Sequence, residues 1–165
     1  MQKLHFSITI KASREKVWNT LLDDKTYREW TKVFNEGSYY KGSWEKGSKI
    51  LFLGPDPKTG KEGGMVSKIA ENKQYEYISI EHLGLYQNGV EDTTSEEAKK
   101  WAPAFENYTF KDKDPSVDST GSPQANSKQG RTELSVHIDT TEEMMEMFKK
   151  MWPEALNKLK EIVEK

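Results

Sequence analysis

Histidine and cysteine, the side chains most often used in metal binding and nucleophilic or proton-transfer chemistry near neutral pH, are scarce in this chain of 165 residues. It has three histidines, His5, His82 and His137, and no cysteine. The lack of cysteine removes disulfides, thiolate catalysis and cysteine metal sites together. None of the histidines stands in His-x-His or His-Glu-x-x-His spacing, so no metal-ligand set forms locally, and neither a metal nor a cofactor is expected. His5 and His137 fall on the polar faces of alternating segments, as solvated strand histidines do. His82 differs, because it shares a face with Ile78 and Ile80 and points inward. It is either a polar fixture in a pocket or a core histidine with both nitrogens satisfied. Glu81 and Glu106 are strand carboxylates, and spacing alone does not say whether two such groups converge for acid–base work. There is no Gly-x-Ser-x-Gly nucleophile elbow.

Two loops resemble ligand sites and fail on inspection. In Gly54 to Glu62 a phosphate loop would need a glycine where Thr59 stands, and Gly60-Lys61 is followed by Glu62 rather than a hydroxyl residue. Asp112, Asp114, Ser116 and Asp118 have the early spacing of a calcium loop. Its obligatory glycine is replaced by Val117 and its final glutamate by Pro123. Asn107-Tyr108-Thr109 is a glycosylation sequon with no secretion signal to make it relevant.

The elements that position these residues are legible from periodicity. Leu4 to Lys11 alternates, with Leu4, Phe6, Ile8 and Ile10 on one face, which describes a half-buried strand. Ser13 caps a helix whose apolar face is Val17, Trp18, Leu21 and Leu22. Asp23-Asp24 leads into a second, short helix with Tyr27, Trp30, Val33 and Phe34 at helical spacing. Strands are expected over Gly37 to Trp44, Lys49 to Leu53, Gly63 to Ala70 and Tyr75 to Leu83, joined by turn-rich segments as an antiparallel meander. Residues 84–104 interrupt the meander as a helical insertion, with Thr94 and Glu97 as a capping box. Strand returns over Phe105 to Phe110. Residues 111–130 contain Val117 as their one large apolar residue and are expected to form a mobile hairpin tip. Thr132 to Ile138 closes the sheet.

The chain ends in an amphipathic helix from about Thr140 to Lys165. Met147, Phe148, Met151, Trp152, Ala155, Leu156, Leu159, Ile162 and Val163 follow the three-four alternation of one face, opposite a charged face. Thr140 and Glu143 are expected to form its capping box, and the helix would be roughly 37 Å long. Pro153 lies inside it, so a kink or local break is expected. Before Pro153 the stripe is Met, Phe and Trp; after it, Leu, Ile and Val. Methionine fills changeable spaces, so the first half could roof a cavity while the second half is plain core; the bland alternative is that all of it is core.

The composition bounds the rest. Net charge is -2 and the pI about 6.0, which argues against nucleic-acid and membrane-surface partners. The length suits a single domain, 1–165. With no apolar run long enough to span a bilayer and no signal peptide, a cytoplasmic protein is expected. The mean hydropathy of −0.89 and hydrophobic fraction of 34% are low, so tryptophan and tyrosine must supply much of the core.

The order strand, helix, helix, strands and long C-terminal helix resembles the helix-grip fold of the START/Bet v 1-like (SRPBCC) superfamily. Within it, the chain is similar to the branch of the C-terminal domain of activators of the Hsp90 ATPase. The likeness rests on Ile8-Thr9-Ile10-Lys11-Ala12-Ser13, Glu15-Lys16-Val17-Trp18, Leu21-Leu22-Asp23-Asp24 and Trp30, and on Trp152, Leu156 and Leu159 near the end. It implies an α+β fold in which a curved antiparallel sheet of about seven strands grips the last helix around an elongated cavity. Relatives bind lipids, sterols, hormones or polyketides, and some catalyse cyclisation; the fold alone transfers none of these roles.

Face parity then places Trp30, Phe34, Trp44, Leu51, Met65, Ile78, Ile80, His82, Trp101, Phe105, Tyr108, Leu134, Val136, Met144, Phe148, Met151 and Trp152 along that cavity. Three functions follow from different classes. The first is binding of a small, mostly hydrophobic molecule, which needs a cavity of at least ~300 Å³. The second is a protein-interaction module similar to an Hsp90 co-chaperone domain, which needs an exposed apolar patch, for instance around Trp101 or Tyr86. The third is a cofactor-free cyclase-type enzyme, which needs two facing ionisable groups in the pocket.

Overall fold

The computed structural model describes residues 1–113 and 130–165. Alternating apolar residues form strands β1 (Gln2–Ile10), β2 (Tyr39–Gly42), β3 (Lys49–Pro55), β4 (Glu62–Lys73), β5 (Tyr77–Gln87), β6 (Val90–Asp92), β7 (Ala104–Asp112) and β8 (Thr132–Thr140). They make one 8-stranded antiparallel sheet in the order β1-β8-β7-β5-β4-β3-β2, with β6 paired to the far end of β5. The sheet curls but does not close, since β1 and β2 remain its two edges. Helices α1 (Arg14–Leu22) and α2 (Asp24–Trp30) follow β1, a single 3-10 turn covers Thr31–Val33, α3 (Glu96–Lys99) follows β6, and α4 (Glu142–Glu164) closes the chain. This is the helix-grip arrangement expected from the sequence.

Helix α4 is 23 residues long, about 34 Å, and lies against β1, α1, α2 and the 3-10 turn. Its buried face is Trp152, Ala155, Leu156, Leu159 and Val163. Burying Leu156 and Leu159 contributes roughly 1.5–3 kcal/mol each. The far end is pinned by polar contacts as well: Glu164 accepts from the Lys11 N–H at 2.9 Å and from Lys160, whose Nζ also donates to the Thr9 carbonyl at 3.2 Å. The helix runs through Pro153 without a break. Pro153 is on the exposed face, so the carbonyl it leaves without a partner has water within reach.

Four local expectations are corrected. The N-cap of α4 is Thr141, whose hydroxyl accepts from the Met144 N–H at 3.4 Å; Thr140 instead ends β8 and is buried. The cap of α3 is likewise Ser95 rather than Thr94, because Ser95 Oγ reaches the Ala98 N–H at 3.1 Å while Asp92 holds the Ser95 hydroxyl. The sheet has one strand more than expected, since β5 runs on to Gln87 and turns back through Asn88-Gly89 into β6. Only the short α3 in 84–104 is helical. The segment expected as a mobile tip lies, over 114–129, outside the described residues, as do most positions of the failed calcium loop.

The hydrophobic core runs the length of the sheet's concave face. Ile10, Ile50, Ile69, Ile78, Ile80, Tyr108, Phe110, Leu134, Val136 and Ile138 meet Val17, Trp18, Leu21, Tyr27, Trp30 and the α4 stripe. No helix among the described residues is long and apolar enough to cross a membrane.

Candidate functional site

The concave face does not fill completely. Between β3, β4, β5, β7 and β8 on one side and α2, the 3-10 turn and the first half of α4 on the other lies a cavity of about 240 Å³. Its walls are mainly aromatic: Tyr27, Trp30, Phe34, Phe52, Trp101, Phe105, Phe148 and Trp152, with Met1, Met65, Ala104 and Ile138. Rings lock the roof in place. Trp152 packs on Phe34 at 4.9 Å between centroids and on Phe6, Trp30 and Tyr108 at 6.2 Å each. The Trp30 indole N–H is taken by the Leu21 carbonyl at 3.0 Å.

One polar cluster interrupts this surface. Along β5 the alternation that buries Ile78 and Ile80 turns His82 inward, and along β7 the alternation that buries Tyr108 turns Glu106 inward. A register shift between Val66 and Ser67 brings Ser67 opposite His82. The Ser67 hydroxyl lies 2.7 Å from His82 Nδ1, and His82 Nε2 lies 3.1 Å from Glu106 Oε1. The Tyr108 hydroxyl donates to Glu106 Oε2. A carboxylate only accepts, so His82 Nε2 carries a proton and donates it to Glu106, while the Ser67 hydroxyl meets Nδ1. Burial, and then the charge of Glu106, push the Tyr108 phenol well above its ordinary value. The same two causes in the same order raise Tyr27, against a lowering hydrogen bond from Ser38. Both phenols are therefore neutral donors at neutral pH.

The Ser67–His82–Glu106 order looks like a hydrolytic triad and cannot act as one. Ser67 has no solvent exposure and does not border the cavity. What faces the cavity is the His82 ring, with both nitrogens engaged, and the carboxylate of Glu106. A carboxylate offers about four acceptor positions, and two are used here.

Of the residues placed along the cavity by face parity, Trp30, Phe34, Met65, His82, Trp101, Phe105, Phe148 and Trp152 line it. Tyr108 reaches it through its hydroxyl bond to Glu106. Ile78, Ile80, Leu134 and Val136 are fully buried in the packed core beyond it. Trp44 packs against Tyr27, Tyr40 and Phe52, one layer behind the wall. Leu51 faces the other side of the sheet, paired with Val66; the inward residue of β3 is Phe52, paired with Met65. Met144 and Met151 are half-buried and Met147 exposed, so Phe148 and Trp152, not the methionines, form the roof. Glu106 shares the inward parity of Tyr108, and that was the signal available for it. Tyr27, Thr31, Ser38, Phe52, Ala104, Ile138, Asp139 and Thr140 also border the cavity.

A second, wider cleft of about 670 Å³ opens where the β3–β4 hairpin meets the end of β5, lined by Asn35, Pro55, Asp56, Lys61, Glu62 and Tyr86 among others. It shares Ser38 and Phe52 with the inner cavity and is somewhat more open to solvent. On the outer face of the sheet, His5 and His137 stack at 4.3 Å.

No family model matches the chain, and no curated protein does. Solved structures do. The Aha1 dimer from Colwellia psychrerythraea superposes with a TM-score of 0.62 at 18% identity, over 99% of this chain and 97% of that one. A protein from Mesorhizobium loti gives 0.65 at 12% identity, over 99% and 97%. One from Chromobacterium violaceum gives 0.60 at 16%, over 100% and 99%. The fold is shared with these proteins. At such identities the likeness establishes architecture and leaves function to the site.

Proposed function

We propose that the protein binds a compact, mainly apolar molecule in the cavity between the sheet and α4, with one polar group of the ligand placed at Glu106. The supporting observation is the cavity itself: an aromatic-walled, partly open space of about 240 Å³ with a single carboxylate–histidine cluster at one side. The volume falls below the ~300 Å³ at which drug-sized sites begin, but exceeds the roughly 150 Å³ that holds benzene. A single-ring or short branched molecule is the right scale; a sterol is too large. The test is native mass spectrometry and saturable titration with an uncharged ring such as 2-phenylethanol. Saturable one-to-one binding supports the reading, and lack of saturable binding by any ring of this size, charged or uncharged, removes it.

A cofactor-free enzyme is the second reading, favoured by the His82–Glu106 contact at 3.1 Å, since the two facing ionisable groups it requires are present. Glu106 would be the base, because both His82 nitrogens are occupied. Turnover of an enolisable ketone of this size, absent in Glu106→Gln, would support it. Membership of the Hsp90-activator branch, and interaction with a chaperone, draw on the likeness to the Aha1 dimer. The surface offers this reading less. Among the described residues the exposed large apolar ones are Met1, Val90 and Met147, on three different segments, while Trp101 and Tyr86 are half-buried.

A further inference from the structure

We infer that the molecule taken up by this cavity is a small organic cation, an alkyl- or arylalkyl-ammonium, whose charged head is held by Glu106. This rests on the binding function proposed above and narrows it to a chemical class. The charge balance of the walls carries the argument. Among the described residues lining the cavity there is no lysine and no arginine, while there are two carboxylates, Glu106 and Asp139. Asp139 is already answered: Oδ1 pairs with Lys3 at 2.7 Å, Oδ2 accepts the Phe105 N–H at 2.9 Å, and the amino group of Met1 adds its charge. Glu106 accepts from His82 Nε2–H and Tyr108 O–H, and no lysine or arginine among the described residues pairs with it. Its remaining acceptor positions and its negative charge are left for the ligand.

An anionic head, such as a fatty-acid carboxylate, would enter a mainly apolar space against Glu106 with no lysine or arginine among the described lining residues, and with the Met1 amino group already set beside Asp139, which is unfavourable. A neutral hydroxyl could donate one hydrogen bond. An ammonium donates hydrogen bonds and cancels the buried charge at the same time. The surrounding groups suit it as well. Phe52 lies edge-on to His82 at 5.9 Å, and Tyr108, which holds Glu106, has Trp152 at 6.2 Å. A wall rich in aromatic rings is compatible with a cation and offers an anion no favourable partner.

The experiment is calorimetric titration of the full chain at neutral pH with three probes of one size: 2-phenylethylammonium, 2-phenylethanol and 3-phenylpropanoate. The amine should bind at least about tenfold more tightly than the alcohol, a difference of about 1.4 kcal/mol, and the carboxylate most weakly. Glu106→Gln should abolish the amine's advantage, bringing the ratio of amine to alcohol affinity from at least about tenfold down to about one. Glu106→Asp, which keeps the charge, should retain the order amine before alcohol, and decides the matter if the glutamine variant does not fold. Equal affinities for amine and alcohol, or a carboxylate that binds as tightly as the amine, overturn the inference and leave the cavity function standing. Binding of none of the three removes both.

Discussion

Ala104 is the small residue at the floor of the cavity, and replacing it by leucine separates a real void from a packed core. Ala104 pairs with His82 across the β5–β7 ladder, so its Cβ points to the same inner face. It is 5% exposed and borders the cavity. Leucine adds three carbons. At about 0.8 kcal/mol per buried methylene the transfer gain is about 2.4 kcal/mol, and fixing the leucine rotamer costs about 0.5–1 kcal/mol. If the cavity is empty space, Ala104→Leu should raise the unfolding free energy by about 1.5 kcal/mol in urea denaturation and lift Tm by a few degrees. It should also weaken binding of 2-phenylethanol at least about tenfold, because the void is consumed. A loss of about 1 kcal/mol or more, the usual result of overpacking, would show that the region is filled and that the binding reading is wrong.

Other consequences are independent of the ligand. Gly64 has φ of 152°, and a Cβ there would sit 1.8 Å from the Phe52 carbonyl oxygen, whereas one on Gly63 would meet nothing nearer than 3.5 Å. Gly64→Ala should therefore cost at least ~3 kcal/mol and Gly63→Ala no more than about 1 kcal/mol by denaturant titration; equal costs would refute the β3–β4 geometry. Tyr27 and Tyr108, both raised by burial and by Glu106, should stay protonated in ultraviolet titration through pH values where exposed tyrosines ionise near about pH 10. All seven tyrosines titrating together in the folded protein would contradict that. His137 is held below its ordinary value by burial and by the neighbouring charge of His5. The unfolded chain then takes up the proton first as the pH drops, so this contribution to stability is complete above about pH 6.5 and declines as the pH falls toward the lowered value. His137→Asn should flatten the slope, and an unchanged slope would refute the assignment.

The fold was largely legible because its signals are local. The alternation of Leu4, Phe6, Ile8 and Ile10 and the stripe from Phe148 to Val163 each declare a buried face without reference to any neighbour. The site was less legible for physical reasons that can be named. Ile50-Leu51-Phe52-Leu53 is a continuous apolar run, and such a run carries no parity, so Leu51 and Phe52 were exchanged. The Ser67–His82–Glu106 contact depends on a register shift in β4 and on the pairing of three strands, neither of which is written in spacing along the chain. Each misplaced cap is one of two adjacent hydroxyl residues, Thr140-Thr141 and Thr94-Ser95, and tertiary contacts decided between them. The first half of α4, expected as the roof with Met144, Phe148, Met151 and Trp152, contributes Phe148 and Trp152 to the cavity, while Met144 and Met151 stay half-buried beside it.

The most direct test of the account is a nitrogen-15 spectrum of the five tryptophan indole N–H groups during titration with 2-phenylethylammonium. Trp30, Trp101 and Trp152 line the cavity, while Trp18 packs at the other end of the core against Tyr75 and Phe110. The account predicts saturable shifts at the three lining indoles with Trp18 unmoved. Unshifted indoles at all five positions, or perturbation confined to backbone signals of the Asn35–Tyr86 cleft, would contradict it.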